Sequence, residues 1–172
     1  MKGSCILRKT LTSSLLVLLF TATAFAQGNV LLVRHAERAD TGGGAPATMA
    51  ADPSLSDTGR QRAESLAAIL KDAGITAIYA TEFKRTQETA APLAKALGIA
   101  VTTVPAKDIA GLVQKLKGAT ANVLVVGHSN TVPEIVKALG VTAPLKIDDT
   151  EYDNLLVVTS ATQPQLLRLR YR

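Results

Sequence analysis

The sequence predicts an α/β fold: a three-layer αβα sandwich on a mainly parallel, doubly wound sheet, with an edge strand at the C-terminus. Three observations predict it. Short apolar runs without polar alternation recur along the chain, as in "NVLLV" at 29–33 and "NVLVVG" at 122–127, which suits strands covered on both faces. Segments with apolar residues at helical spacing separate those runs, and such alternation builds βαβ crossovers. The joins are short, except one irregular stretch at 39–55, "ADTGGGAPATMAADPSL".

Taken in order, the first strand is 29–33. The first helix follows in "GRQRAESLAAILKDAG", with Ala63, Leu66, Ala67 and Leu70 on one stripe, Ser56 or Asp57 as its cap and Gly74 as its end. "ITAIYA" at 75–80 is a second strand. "EFKRTQETAAPLAKALG" is a second helix, kinked at Pro92 and stopped at Gly98. "IAVTTV" is a third strand, and "DIAGLVQKLKG" a third helix with Ile109, Leu112, Val113 and Leu116 on one face. The fourth strand at 122–127 leads into "TVPEIVKALG", whose apolar face holds Val132, Ile135, Val136 and Leu139. "NLLVVTS" is a fifth strand. "QLLRLRY" alternates apolar and basic residues, as an exposed edge strand does.

The first 26 residues stand apart from this pattern. Lys2, Arg8 and Lys9 precede the apolar "LTSSLLVLLF", and Ala24-Phe25-Ala26 has the small-x-small form of a cleavage site. This reads as a secretory signal peptide; its apolar core falls short of the ~20 residues of a membrane span. Cys5 lies ahead of that core, where a lipoprotein would need it behind. The expectation is a cleaved segment 1–26 and a single domain at 27–172, exported to the periplasm or secreted, with no stable membrane anchor after cleavage. Without the segment, Lys plus Arg falls from 19 to 16 against 14 acidic residues, a net charge of +2. The basic charge is therefore partly a targeting feature and does not argue for nucleic acid. Aromatic residues are only 3% of the chain, too few for base-stacking platforms. Without Cys5 no thiol remains, so neither disulfides nor thiol catalysis is expected.

The two histidines carry the functional reading. His35 follows the first strand and His128 the fourth, while Arg85 opens the helix after the second strand. In open α/β sheets, ligands sit outside the carboxyl ends of the strands, so all three are expected on one rim, with Arg34 beside His35. Arg34, His35, Arg85 and His128 make a positive cup with no obvious counter-charge in the surrounding motifs. Such a cup is costly unless an anion fills it, and a guanidinium fork matches phosphate oxygens. Ser129, Asn130 and Thr131 can add a hydroxyl, an amide and helix N-terminal N–H groups or serve as ordinary caps. Glu37 and Arg38 are placed at the rim, Glu37 as a residue bearing on substrate choice. The 39–55 loop leaves directly from the same strand end.

These residues carry a resemblance. "VRHAE", "SLSDTG", "YATEFKRTQETA" and "VVGHSNT", in that order from about residue 29 to 159, resemble the histidine phosphatase superfamily, which also contains the cofactor-dependent phosphoglycerate mutases. The resemblance implies that His35 is the nucleophile that takes up the phosphoryl group, and that Arg34, Arg85 and His128 hold its oxygens. Phosphohistidine would then be hydrolysed by water, without metal or other cofactor. Some members of the superfamily carry an Asp directly after the second histidine; this chain has Ser129 there. Mutase-like members use a Glu after the third strand, and the matching segment "VPAKDIAG" offers Asp108 as general acid. Glu82 is the rival. Each can equally complement a helix N-terminus.

The function expected is a phosphomonoester hydrolase acting on a small phosphorylated substrate or a phosphoprotein. Mutase activity is disfavoured because the chain lacks long insertions to enclose a bisphosphorylated sugar acid. One alternative is an exported, non-catalytic phosphate-ligand binding module. A metal-dependent hydrolase is a weaker one, lacking His-x-x-x-His or Cys-x-x-Cys spacing. A serine hydrolase fails at "GHSNT", which has Thr131 where a nucleophile elbow needs glycine, and has no histidine after the serine. Substrate choice is expected in the 39–55 loop and in segment 140–153.

Overall fold

A computed structural model describes residues 28–42, 52–159 and 162–172. The expected signal segment therefore lies outside the described residues, as does most of the 39–55 loop. Six strands form one sheet: β1 (Val30–Arg34), β2 (Ile75–Thr81), β3 (Val101–Val104), β4 (Asn122–Gly127), β5 (Asn154–Val158) and β6 (Leu166–Arg170). Their order is β3-β2-β4-β1-β5-β6. Strands β3, β2, β4 and β1 are parallel; β5 is antiparallel to β1, and β6 to β5. Among the described residues, four α-helices join them, α1 (Asp57–Leu70), α2 (Lys84–Leu97), α3 (Ile109–Lys117) and α4 (Thr131–Ala138), with a short 3-10 turn at Ala39–Gly42.

The strands lack polar alternation because both faces are covered. Along β1, Val30 and Leu32 join a cluster with Leu112, Leu116 and Ile135 of α3 and α4. Leu31 and Val33 join the opposite cluster, with Leu66 of α1 and Leu93 of α2. Adjacent residues of one strand thus feed different cores, as the two-residue side-chain period requires. Local signals set the helix ends. Of the two candidate caps of α1, Ser56 is the one used: its hydroxyl accepts from the Gly59 N–H at 3.0 Å. Gly98 ends α2 with φ of 67°, a left-handed conformation that glycine adopts without steric cost. Gly59 has a different reason. The first turn of α1 lies so close to the Glu37 carbonyl that a Cβ there would collide with backbone.

The reversal of β5 matters for the site. After α4 the segment 140–153 returns to the carboxyl rim, and β5 starts there, with Leu155 opposite Val33. This lays Asp148 to Tyr152 against the end of β1, where the Arg34 Nη1 donates to the carbonyls of Asp148 at 3.0 Å and Glu151 at 3.3 Å.

Candidate active site

The end of β1 carries Arg34 and His35; the end of β4 carries His128. The two strands are neighbours, and Arg34 is paired with Gly127 in their register. Adjacency of β1 and β4 in the sheet, and not in the chain, therefore brings the histidines together. Their ring centroids lie 5.3 Å apart at 65°. Around them lies a cleft of about 640 Å³ lined by Arg34, His35, Arg38, Phe83, Arg85 and His128, with Lys107, Ser129, Asn130, Thr131, Asp149 and Tyr152 at its sides.

Each guanidinium of the cup is fixed by stacking. Arg34 lies over the Tyr152 ring at 4.2 Å and Arg85 over the Phe83 ring at 4.4 Å, the geometry of cation–π attraction. The Nε of each is buried without a hydrogen-bond partner. Buried donors are rarely left so.

His35 is held by its own backbone neighbour. Its Nδ1 lies 2.8 Å from the Ala36 carbonyl, and a carbonyl can only accept. Nδ1 therefore carries the proton, and Nε2 keeps a lone pair. The Ala36 peptide is in turn anchored, its N–H donating to Thr89 Oγ1 at 3.0 Å. Burial lowers the His35 pKa from 6.5 to about 3; the carbonyl opposes this, and the nearby charges of Arg34, His128 and Arg85 add to it. Burial, followed by the charge of Arg85, lowers His128 to about 4. Both rings are thus neutral near pH 7, and His35 presents an unprotonated nitrogen beside two cations, the form a nucleophile needs.

Counter-charges reach the cup from outside the motifs. Asp52 lies 3.5 Å from Arg85 Nη1 and also accepts from the Lys84 N–H at 3.0 Å. It supplies the N-terminal partner of α2 that Phe83, at the cap position, lacks. Asp149 accepts from Ser129 Oγ at 2.8 Å and lies 3.8 Å from Arg34 Nη2. Arg38 forks onto Asp40. Neither Asp52 nor Asp149 stands in a motif, and only folding brings them to the arginines. Apolar runs preceding Arg34 and Arg85 could not have revealed them.

The other expected residues divide. Ser129, Asn130 and Thr131 line the cleft, and the Thr131 hydroxyl also accepts from the His128 N–H at 3.0 Å. Glu37 does not line it: its carboxylate accepts a fork from Arg62 on α1, at 2.9 Å from Nε and 2.6 Å from Nη2. Asp108 caps α3 by accepting from the Gly111 N–H at 2.9 Å, and Glu82 accepts from the Ala106 N–H at 2.8 Å. Both candidate acids thus hold backbone, and neither lines the cleft. Tyr152, Phe83 and Asp149 do line it and were not singled out; an aromatic or acidic residue outside a motif gives no signal of its role. Among the described residues, no three side chains of His, Cys, Asp or Glu gather as a metal site would require.

The family model described as "Histidine phosphatase superfamily (branch 1)" matches residues 30–108. No curated protein matches the chain at a significant level. Among solved structures, the protein histidine phosphatase SixA complexed with tungstate is 19% identical, with TM-score 0.64 over 83% of this chain and 96% of that one. A mycobacterial glucosyl-3-phosphoglycerate phosphatase is 14% identical, with TM-score 0.64 over 84% of this chain and 99% of that one. At such identities, these likenesses establish a shared fold.

Proposed function

Because the histidine phosphatase superfamily model matches residues 30–108 on a fold shared with solved phosphatases, we propose that the chain is a member of that superfamily and a phosphomonoester hydrolase working through a covalent phosphohistidine on His35. The observation that carries the reading is the His35 ring. Its Nδ1–H is spent on the Ala36 carbonyl, so the Nε2 lone pair is the nucleophile, in a cleft where two buried guanidinium Nε groups lack partners. Arg34, Arg85 and His128 hold the phosphoryl oxygens. Phosphoryl transfer spreads charge over the equatorial oxygens, and fixed positive groups stabilise it without reorganising. Water then attacks phosphohistidine and releases inorganic phosphate.

With Asp108 and Glu82 engaged on backbone, the reading favours substrates whose leaving group departs without a strong acid. A phosphorylated imidazole or an aryl phosphate fits that description better than an alkyl sugar phosphate. Phosphohistidine on a protein is the substrate class proposed first, with small phosphomonoesters second. Export and cleavage after Ala26 remain part of the proposal, and the enzyme would then act outside the cytoplasm. The test is hydrolysis of an aryl phosphate and of a phosphohistidine peptide by the wild-type protein and by His35→Ala. Turnover lost in the variant supports the reading. A wild-type protein that binds vanadate but turns over neither substrate would make it a binding module.

A further inference from the structure

The buried hydroxyls behind His128 have no part in the mechanism so far. Thr81 Oγ1 lies 2.9 Å from His128 Nε2 and 2.9 Å from Thr86 Oγ1. Thr86 Oγ1 lies 2.9 Å from the Thr81 carbonyl and 2.7 Å from the Phe83 carbonyl. Thr81 is 6% exposed and Thr86 is fully buried, so water cannot substitute for either.

The proton count follows from which groups can donate. Carbonyls only accept, and the Thr81 carbonyl already accepts from Gln87 Nε2 at 2.6 Å, so the single Thr86 hydroxyl proton is assigned to the shorter contact, the Phe83 carbonyl at 2.7 Å. The contact between the two hydroxyls must then be donated by Thr81. That uses the only Thr81 hydroxyl proton, so the contact with the ring must be donated by His128 Nε2. His128 therefore has Nε2–H, and Nδ1 is the nitrogen left with a lone pair. His35 has the reverse arrangement, fixed by the Ala36 carbonyl.

We propose that Thr81 and Thr86 form a hydroxyl relay that fixes His128 as the Nε2–H tautomer, so that its Nδ1 takes the proton of an arriving phosphomonoester monoanion. The inference rests on the hydrolase reading for its catalytic consequence, but not for the tautomer. In the step, the O–H bond of the phosphoryl hydroxyl breaks, the P–O bond stays intact and an Nδ1–H bond forms. The substrate becomes a dianion between the two guanidiniums, and His128 becomes an imidazolium whose Nε2–H still donates to Thr81. No proton enters from outside. Thr81 and Thr86 are positioning residues; they act through the ring.

The charged groups whose fields reach His128 are Arg34 at the end of β1 and Glu82 and Arg85 around the start of α2, with the neutral His35 ring beside it. Asp52 faces it from the loop before α1. Lys107 ahead of α3 and Asp149 and Tyr152 from the returning segment complete the cleft. Burial first, then Arg85 and Arg34, disfavours an imidazolium before substrate arrives, and a bound dianion beside the ring opposes both.

The chain has two histidines, so nitrogen-15 correlation spectra of the free protein assign both tautomers directly. The expected result is two opposite forms, Nδ1–H on His35 and Nε2–H on His128. A wild-type spectrum with Nδ1–H on His128 overturns the relay, and needs no variant to fold. In Thr81→Val the His128 tautomer should no longer be fixed, and kcat/KM should fall roughly tenfold, the worth of one such hydrogen bond. Wild-type kcat/KM should decline above about pH 6, the second pKa of a phosphomonoester, and the valine variant should lose that preference. Thr81→Ser should restore tautomer and profile together. An unchanged tautomer and pH profile in the valine variant contradicts the proposal. A wild-type protein without turnover would defeat the hydrolase reading, while its spectrum would still decide the tautomer.

Discussion

Two groups of arginines lie near the carboxyl rim, and they are treated oppositely. At the β5–β6 edge, Arg168 donates to Asn154 and Glu151, Arg170 to Glu151 and Asp153, and Arg62 to Glu37 and the Tyr171 carbonyl. The Asp148 N–H and Arg170 hold the Glu151 carboxyl down at about 2. In the cup, Arg34 and Arg85 are stacked on aromatic rings, each with a buried Nε that has no partner. Desolvation lowers the Arg85 pKa, and the neighbouring Arg38 lowers it further. Arginine alone therefore does not mark a site. Unused buried donors also occur at Asn154 Nδ2 and the Tyr171 hydroxyl, so what distinguishes the cup is that two stacked guanidiniums line one cleft beside two histidines.

The sharpest break of this comparison is at the nucleophile. His35→Ala should reduce turnover by at least about three orders of magnitude, while vanadate still binds to the remaining arginines. Equilibrium binding beside steady-state kinetics checks both halves. Next come the arginines themselves. Arg85→Ala should cost about 10²–10³-fold in kcat/KM, the usual cost of removing one oxyanion donor. Arg170→Ala at the other cluster should leave kcat/KM unchanged, and its effect on stability should stay small, as for exposed ion pairs.

A third expectation concerns pH. The unfolded chain protonates both imidazoles as pH falls through about 6.5, the folded chain only nearer 3 and 4. Their contribution to stability is fully present above 6.5 and is lost as pH falls toward 4, at up to ~1.4 kcal/mol per pH unit for each ring. Denaturant melts between pH 7 and 4.5 should show this slope, and His128→Gln should reduce it. The smallest effect is at Asp52. Asp52→Asn can keep the hydrogen bond to the Lys84 N–H but loses the charge beside Arg85. Inhibition by inorganic phosphate should tighten by roughly two- to fivefold, the range of a partly exposed ion pair.

Most of the fold was legible in the sequence, and for a stated reason. Strands covered on both sides read as plain apolar runs, and the segment 122–127 became β4 with no shift of boundary. The reversal of β5 was not legible. Direction depends on where the segment 140–153 returns, and that segment has neither helical nor strand period. In the site, the four cup residues lie at strand ends and a helix start, positions that the topology converts into proximity. Several of their partners lie in the two segments expected to bear on substrate choice, 39–55 and 140–153, but no residue in either could be picked out singly. Asp149 and Tyr152 are brought in by the return of the chain, Asp52 by the approach to α1, and Thr81 and Thr86 sit inside an apolar strand and a helix where a hydroxyl gives no outward signal. Of the acids proposed from chain position, Asp108 caps the helix it opens, and Glu82 accepts from the Ala106 N–H of the loop after β3, a partner that only folding supplies.

The central claim is that His35 Nε2 takes the phosphoryl group, and the most direct measurement is rapid-quench trapping under alkaline conditions. Brief exposure to a phosphorus-labelled aryl phosphate, followed by mapping of the labelled peptide, should place an acid-labile phosphoryl group on Nε2 of His35, with no label in His35→Ala. Steady turnover with no covalent label at any time, or with label on a residue other than His35, would contradict the account.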